Sequence, residues 1–381
     1  MKILLINISY YPNVEGGAEI STQKLAEELA RTNEVYVLCH GNTETHEKIN
    51  SVNVCRVPIR KKHATRIGTS LMWTVNVTAY PKIKKVIGKI KPDVIHTNNI
   101  HEFSPIVWYI AKQMKIPVVH TLRDYSLLGG ITHKVNRLWS RSVDAVTAPS
   151  EFTLKEHIGK VFFTKASQKR CIPNAIDYSK EELQKLIDLK MKKEDKIVRF
   201  AYLGRFQTIK GFDWLIHVFG MAENTIELHL FGKGEIQHKS QQIINTHSNI
   251  FNHGFLQEEQ LYNELKEMDV VVAPSLWDEP FGRIIIDAYK AACPVIITNR
   301  GGMPEIVDNR KTGIVLQTTK DEEFLEALSY FSNRNNIRDM LLNIENRIQD
   351  YSISEQARSF FEIYCKLVGK EEHDYVEQHY C

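Results

Sequence analysis

The sequence predicts an α/β protein of two domains, each a parallel sheet covered by helices on both faces. Three observations predict it. Short runs rich in Val, Ile and Leu alternate with longer segments of helical period. The alternation breaks after Ile172-Pro173-Asn174-Ala175-Ile176-Asp177 and then restarts. Each half opens with a strand, a loop containing glycine and a helix. Apolar runs separated by helices mean βαβ units, whose strands are buried on both sides. At roughly 100–200 residues per domain, 381 residues favour two or three domains.

The elements follow in order. In the first half the apolar runs are Lys2–Ile6, Val35–Leu38, Val94–His96, Val118–Thr121 and Ala145–Ala148, with helices expected at Ala18–Ala30, Leu71–Ile90 and Ser104–Met114. The charged stretch SKEELQKLIDLKMKKEDK reads as a surface helix and linker. Strands resume at Ile197–Leu203, Ile226–Phe231, Ile250–Asn252, Val270–Ala273, Val295–Thr298 and Ile314–Leu316, with helices at Gly211–Val218, Glu258–Glu267 and Gly282–Ala291. Ser352–Val368 reads as a last helix before a frayed tail. The expected division is a first domain over 1–177, a linker over 178–195, a second domain over 196–350, and a C-terminal helix and tail over 351–381.

Composition excludes several classes. Hydrophobic residues are 43% and charged residues 25%, as in soluble globular chains and unlike disordered or fibrous ones. Lys and Arg number 49 against 46 Asp and Glu, a balance of +3 that argues against a dedicated nucleic-acid binder. No apolar run reaches the ~18 residues of a membrane span. The start, MKILLINISYYP, reads as a buried strand rather than a secretion signal, because its apolar run ends at Asn7 and charged residues follow. Six scattered cysteines without CxxC spacing point to reduced, mostly buried thiols and a cytoplasmic setting.

In open α/β sheets ligands sit outside the carboxyl ends of the strands, so the chemistry is sought in the loops that follow them. The first such loop, SYYPNVEGGAEIS, sets Gly16 and Gly17 before a helix. Glycine permits close backbone approach, and a helix start offers unpaired N–H groups to an anion. An ordinary turn would look the same. The GxGxxG dinucleotide fingerprint is absent, which disfavours a nicotinamide-dependent oxidoreductase. In the second half, GRFQTIKG places Arg205 and Lys210 around a helix entry. Arg offers a planar fork and Lys a point charge to phosphate, although alone the pair would be ordinary surface charge. The most specific segment is APSLWDEPFGRIIIDA, with Glu279 in a loop and Asp287 about two turns into the next helix. Two carboxylates so placed can accept hydrogen bonds from vicinal diols at two levels of one ligand. The N–H groups of Phe281, Gly282 and Arg283 would be free at the helix start. The bland alternative is an acidic helix cap. A further glycine turn, NRGGMPE, follows the next strand.

These motifs resemble the retaining nucleotide-sugar glycosyltransferases of family four, which include bacterial cell-surface polysaccharide enzymes. The resemblance rests on GGAE at 16–19, IPNAID at 172–177, GRFxxxKG at 204–211, PSLWDEPFG at 274–282 and GGMPE at 301–305, in family order over nearly the whole chain. It implies the GT-B fold, two facing Rossmann-like domains with the final helix crossing back to the first. It implies that Arg205 and Lys210 bind the donor diphosphate, and that Gly16 and Gly17 close over it. Glu279, with the amides of Phe281, Gly282 and Arg283, is expected to contact donor-sugar hydroxyls. The second family acid holds the ribose diol; here that position is Asp287, one methylene shorter than the usual Glu. His120, in HTLRDY, matches a histidine facing the donor sugar, and Arg123 and Asp124 beside it fall on the acceptor side.

The implied activity is transfer of a sugar from a nucleoside diphosphate donor, with UDP the expected carrier, to an acceptor hydroxyl with retention of configuration. No DxD pair or His/Cys ligand cluster is seen, so no metal and no cofactor is expected, the donor being a substrate. The cluster Arg60, Lys61, Lys62 and Arg66, before Leu71-Met72-Trp73, suits either solvent or an anionic membrane carrying a lipid-linked acceptor. That would place the protein at the inner face of a membrane. The acceptor is expected to be a glycan or a lipid-linked one. Two other readings stay open: a nucleotide-sugar epimerase of the same fold, and a non-catalytic nucleotide-sugar-binding subunit.

Overall fold

The computed structural model describes residues 1–13, 16–59, 76, 79–100, 103–129, 133–222 and 225–370. Two compact units make up the chain: residues 1–175 together with those from 353 onward, and residues 176–352.

The first unit runs β1 (Lys2–Ile6), α1 (Gly17–Leu29), β2 (Glu34–His40), β3 (Thr45–Ile49), β4 (Val52–Val57), α2 (Tyr80–Ile90), β5 (Val94–Thr97), α3 (Ile106–Gln113), β6 (Val118–Thr121), α4 (His133–Trp139), β7 (Ala145–Ala148), α5 (Glu151–Gly159) and β8 (Gln168–Cys171). Its sheet has the order β3-β4-β2-β1-β5-β6-β7-β8. All neighbours are parallel except the β3–β4 pair. The apolar run of β1 is needed on both faces: Leu4 and Ile6 enter one hydrophobic cluster, Ile3 and Leu5 the other. This follows from the two-residue alternation of a strand.

Three strands here, β3, β4 and β8, escape the periodic reading. The hairpin β3–β4 adds an antiparallel edge, and β3 is almost wholly exposed, so its sequence THEKI has no apolar alternation to detect. Its turn places Asn50 at φ 46° and Ser51 at φ 69°, the left-handed pair a two-residue hairpin requires. β8, sequence QKRC, has the same edge character. The helix expected from Leu71 begins instead at Tyr80, and residues 60–75 lie outside the described residues. Asn76 precedes it in non-helical backbone, accepting from the Ala79 amide at 3.1 Å, and Pro81 sits early in the first turn, where no amide hydrogen is needed.

The second unit runs α6 (Lys180–Met191), β9 (Val198–Arg205), α7 (Phe212–Phe219), β10 (Ile226–Lys233), α8 (His238–Thr246), β11 (Ile250–Gly254), α9 (Glu258–Glu267), β12 (Val270–Ala273), α10 (Arg283–Lys290), β13 (Val295–Thr298), β14 (Gly313–Leu316), α11 (Asp321–Ser332) and α12 (Arg334–Ile348). Its strands lie in the order β11-β10-β9-β12-β13-β14, all parallel. Chain order reverses between β9 and β12, which makes the gap beyond their carboxyl ends a switch point of the kind that binds ligands.

The stretch read as a linker is a packed part of this unit. Leu183, Leu186 and Ile187 of α6 enter its core. Lys190 is buried, and its ammonium donates to the carbonyls of Met268 and Ala291, each at 2.6 Å. The latter is at the carboxyl end of α10, where a cation offsets the helix dipole. The high charge of the segment hid this, because only one face of α6 is apolar.

After Ser352 the chain rejoins the first unit as α13 (Ile353–Val368). Phe360, Phe361, Ile363 and Tyr364 bury against the face that holds Ile3, Leu5, Val94 and Val119. The five described cysteines are free thiols, and burial pushes those of Cys39, Cys55 and Cys293 upward, Cys39 to about 12.

Candidate active site

In the second unit three of the motif loops meet at the switch point. Arg205 ends β9 and Lys210 lies in the loop after it, the loop after β12 carries Ser275 to Gly282, and the loop after β13 carries Gly301 and Gly302. Backbone bonds knit them: the Leu276 amide donates to the Ile209 carbonyl at 3.0 Å, and the Gly302 amide to the Glu279 carbonyl at 2.7 Å. Two glycines make this approach possible. A Cβ on Gly211 would lie 1.8 Å from the Pro274 oxygen, and one on Gly301 would lie 2.2 Å from the Glu279 oxygen. Both also hold positive φ, 73° and 58°.

Lys210 and Glu279 are brought together. The ammonium is 2.6 Å from Oε1 of Glu279, with both side chains about one-fifth exposed (19% and 18%). Lys210 also lies over the Trp277 ring, 4.6 Å from its centre. Ser275, buried, donates to the same Oε1 at 3.0 Å. Among the described residues Oε2 of Glu279 has no partner, which leaves a carboxylate oxygen to accept from a ligand hydroxyl. Ser275 and Trp277 were missed as site residues; both lie within the motif, but spacing alone does not distinguish them from loop residues.

Arg205 ends β9 and is exposed, and its carbonyl accepts from the Tyr202 hydroxyl at 2.8 Å. Gly282 caps α10 with φ 101°, and the amides of Phe281 and Gly282 have no hydrogen-bond partner among the described residues. Arg283 opens the helix, so Asp287 stands about one turn inside it rather than two. The Asp287 carboxylate is 3.7 Å from the Arg283 guanidinium. Desolvation by the packing around it pushes its pKa up, against the pull of Arg283.

In the first unit, Gly16 is the cap residue of α1 and Gly17 its first residue, both exposed. Glu19 is buried in that first turn, where a carboxylate suits the positive helix end. The switch point of this sheet falls between β1 and β5, so the glycine loop follows the strand that borders it.

His120 ends at a position that sequence could not define. It is 3% exposed, in edge contact with Trp108 and stacked on Phe163. Burial, reinforced by the neighbouring His157, lowers its pKa to about 3, so the ring is neutral at ordinary pH. Its partner is Thr97, whose hydroxyl lies 2.9 Å from Nδ1. That hydroxyl donates to the Val119 carbonyl at 3.2 Å and accepts from the Trp108 indole at 3.0 Å. The Thr97 hydroxyl thus fixes the orientation of the His120 ring through Nδ1. Arg123 is gripped by Asn98, at 3.0 Å, and by Asn174. Asp124 caps the following turn through the Ser126 amide at 2.8 Å. Arg60, Lys61, Lys62 and Arg66 lie outside the described residues.

Comparison with known proteins agrees with this geometry. The family described as Glycosyltransferase Family 4 matches residues 15–180, and that described as Glycosyl transferases group 1 matches residues 184–348. An uncharacterized 42.6 kDa protein of the cps region of Klebsiella pneumoniae is 29% identical over 339 residues, spanning 80% of this chain and 87% of that one. An uncharacterized glycosyltransferase of Methanocaldococcus jannaschii is 24% identical over 97% of this chain and 100% of that one. Among solved structures, sucrose-phosphate synthase from Thermosynechococcus elongatus superposes with a TM-score of 0.74 at 19% identity, over 96% of this chain and 99% of that one. Anabaena HepE in complex with UDP-glucose gives 0.71 at 18% identity, over 96% and 100%. The two sheets, their loops and the matched families make this chain a glycosyltransferase of the GT-B fold, built from a family 4 N-terminal domain and a group 1 C-terminal domain.

Proposed function

We propose that the protein transfers a sugar from a nucleoside diphosphate donor, a UDP-sugar, to an acceptor hydroxyl with retention of configuration, in the synthesis of a cell-surface polysaccharide or glycolipid. The observation that carries this reading is the convergence of Lys210, Ser275 and Glu279 at one switch point, with Arg205 at the end of the adjoining strand β9. The cps-region relative supports the polysaccharide setting, and a fold shared with HepE in complex with UDP-glucose supports the donor class.

The chemistry follows from charge. As the glycosidic bond breaks, negative charge grows on the β-phosphate of the leaving nucleotide. Arg205, Lys210 and the amino end of α10 are fixed positive groups, preorganised to stabilise that charge. In the first unit, the amino end of α1 at Gly16 and Gly17 offers backbone amides to an anion. Two fixed cations neutralise a diphosphate without a metal ion, so the reaction is metal-independent in this reading. Glu279 positions the sugar through Oε2, and Asp287 accepts from the ribose diol. In the first unit, His120 is neutral and offers a ring nitrogen to a ligand hydroxyl. Retention proceeds by front-face attack, with the donor phosphate taking the acceptor proton.

The test is release of nucleotide from a panel of UDP-, GDP- and ADP-sugars, with and without candidate glycan and lipid-linked acceptors. Acceptor-dependent UDP release, unchanged by a chelator and lost in Glu279→Ala, is expected. Binding of nucleotide sugar with no turnover on any acceptor would sink the reading, as would conversion of the donor to an isomeric sugar without acceptor.

A further inference from the structure

Among the described residues Arg56 and Lys190 are the only buried Arg or Lys side chains. Burying a cation is costly unless hydrogen bonds replace its water. Lys190 finds carbonyl acceptors in the second unit. Arg56 lies one residue before the end of β4 and is 8% exposed. Val52 and Val54, on the same face of that strand, are apolar members of the core. Arg56 takes the next place in their row, where the sheet gives way to loops. A residue there for packing alone would be a third apolar one.

Its guanidinium holds a loop instead. Nε donates to Oε1 of Glu47 on β3 at 2.7 Å. One terminal nitrogen donates to the Tyr10 carbonyl at 3.3 Å, and the other donates to the Tyr11 carbonyl at 2.5 Å. Both carbonyls belong to the loop after β1, which borders the switch point of this sheet and leads to Gly16. β1, β2 and β4 are parallel, so β4 finishes at the end of the sheet where that loop starts. Gly41 leaves room for the reach: a Cβ there would lie 2.6 Å from the Cβ of Arg56. From the other side Asn7 holds the loop, donating to the Ser9 carbonyl at 2.8 Å and accepting from the Asn99 amide at 3.1 Å. The carbonyls of Ser9, Tyr10 and Tyr11 thus all accept from side chains. In a trans peptide the carbonyl and the following amide point in opposite directions. The Tyr11 amide is therefore turned away from Arg56, and it has no hydrogen-bond partner among the described residues.

We propose that Arg56 is a positioning residue for phosphate binding: by gripping the Tyr10 and Tyr11 carbonyls it fixes the path of the loop into α1, so that the backbone amides of that stretch are set for a phosphate ligand. This rests on the reading above that the amino end of α1 receives an anion. Glu47 neutralises the guanidinium and fixes its orientation, which gives the exposed edge hairpin β3–β4 a part in the site. A lysine in place of Arg56 would keep the charge but not the planar fork that spans both carbonyls and the carboxylate.

Two measurements on the full chain test it. Hydrogen exchange reads the loop without any ligand: in Arg56→Lys the amides from Ile8 to Asn13 should exchange about tenfold faster than in the wild type, while those of β9 and β12 keep their rates. Calorimetric titration with UDP reads the binding: Arg56→Lys should bind about tenfold more weakly at full stoichiometry, the loss of roughly one hydrogen bond to a charged group. A role in folding alone would lower the stoichiometry, through a smaller folded fraction, and leave the affinity of the folded molecules unchanged. Gly41→Ala, which displaces Arg56 while keeping it, should weaken UDP binding in the same direction. Arg170→Lys, which alters the pair with Glu362 at the opposite edge of the same sheet, should bind UDP as the wild type does. Unchanged loop exchange or unchanged UDP affinity in Arg56→Lys would overturn this proposal alone. No binding of UDP by the wild type would overturn the donor reading and this proposal together.

Discussion

The Lys210 ammonium and the Glu279 carboxylate, 69 residues apart in sequence, sit 2.6 Å apart. The contact bridges the loops after β9 and β12, on the two sides of the point where strand order reverses. Each side chain sets the other's geometry: the ammonium and Ser275 both engage Oε1, and Oε2 keeps its acceptor capacity among the described residues. The pair therefore acts as one unit. Removing either member leaves a partly desolvated charge without its counter-charge.

Glu279→Ala is expected to lower kcat/KM by about a hundred- to a thousandfold, the range seen when one preorganised electrostatic group is removed. Lys210→Ala should fall similarly. Their double variant should lose much less than the product of the single losses, with a coupling of ~1–3 kcal/mol for residues in direct contact. Steady-state kinetics of the four forms measures it, and strict additivity would contradict the shared role.

Acid should weaken the fold through its buried histidines. His120 titrates at about 3 when folded, against 6.5 for an ordinary histidine, and burial shifts His96 and His157 the same way. Between those values the unfolded chain binds a proton that the folded chain does not. Stability is then full above the ordinary histidine range and declines as pH falls, by at most about 1.4 kcal/mol per pH unit per histidine. Urea unfolding at several pH values between neutrality and mild acid reads this slope. His120→Gln should reduce it by about one proton.

Tyr364→Phe should destabilise the first unit by ~1–3 kcal/mol, the cost of leaving a buried polar group unpaired. Tyr364 lies 2.6 Å from Nδ1 of His96, whose Nε2 is 2.7 Å from Thr121, which is in turn 2.7 Å from Thr147. This buried chain of groups ties α13 to β5, β6 and β7. Denaturant unfolding measures the loss, and a change below about 0.5 kcal/mol, the size of an ordinary surface substitution, would contradict the role of the chain.

Gly301→Ala should damage the site more than its size suggests. The added methyl would meet the Glu279 carbonyl at 2.2 Å and carry a positive φ. The expected result is a donor KM raised at least about tenfold, because a displacement near 1 Å at a reacting group costs on that order or more. Donor titration of the variant checks it, and an unchanged KM would show that the loop after β13 moves independently of Glu279.

The sheet architecture was largely legible because parallel strands buried on both faces leave unbroken apolar runs, as β1, β12 and β13 do. Edges were not: β3 and β8 lack the alternation that reveals a half-buried strand. In the site, residue types and spacing pointed to Arg205, Lys210 and Glu279. They did not reveal that Lys210 and Glu279 touch, since the contact depends on strand order. Thr97 was invisible for another reason. It sits inside the short buried strand VIHT, and only the fold brings its hydroxyl to His120. Residues 178–195, read as a surface helix and linker, do hold a surface helix, but its one apolar stripe packs into the core of the second unit.

The first unit is completed by α13, which follows the whole second unit in sequence. During synthesis the face lined by Ile3, Val35, Val94 and Val119 has only Leu25, Ala26 and Leu29 of α1 to cover it until Phe360 and Ile363 have emerged. At roughly 5–20 residues per second, that interval is on the order of ten seconds or more after β8 is made. The second unit, contiguous in the chain, has its full set of elements first. The N-terminal half is thus the first to leave the ribosome and the last to close, and its half-covered sheet face stays exposed to wrong partners until α13 arrives.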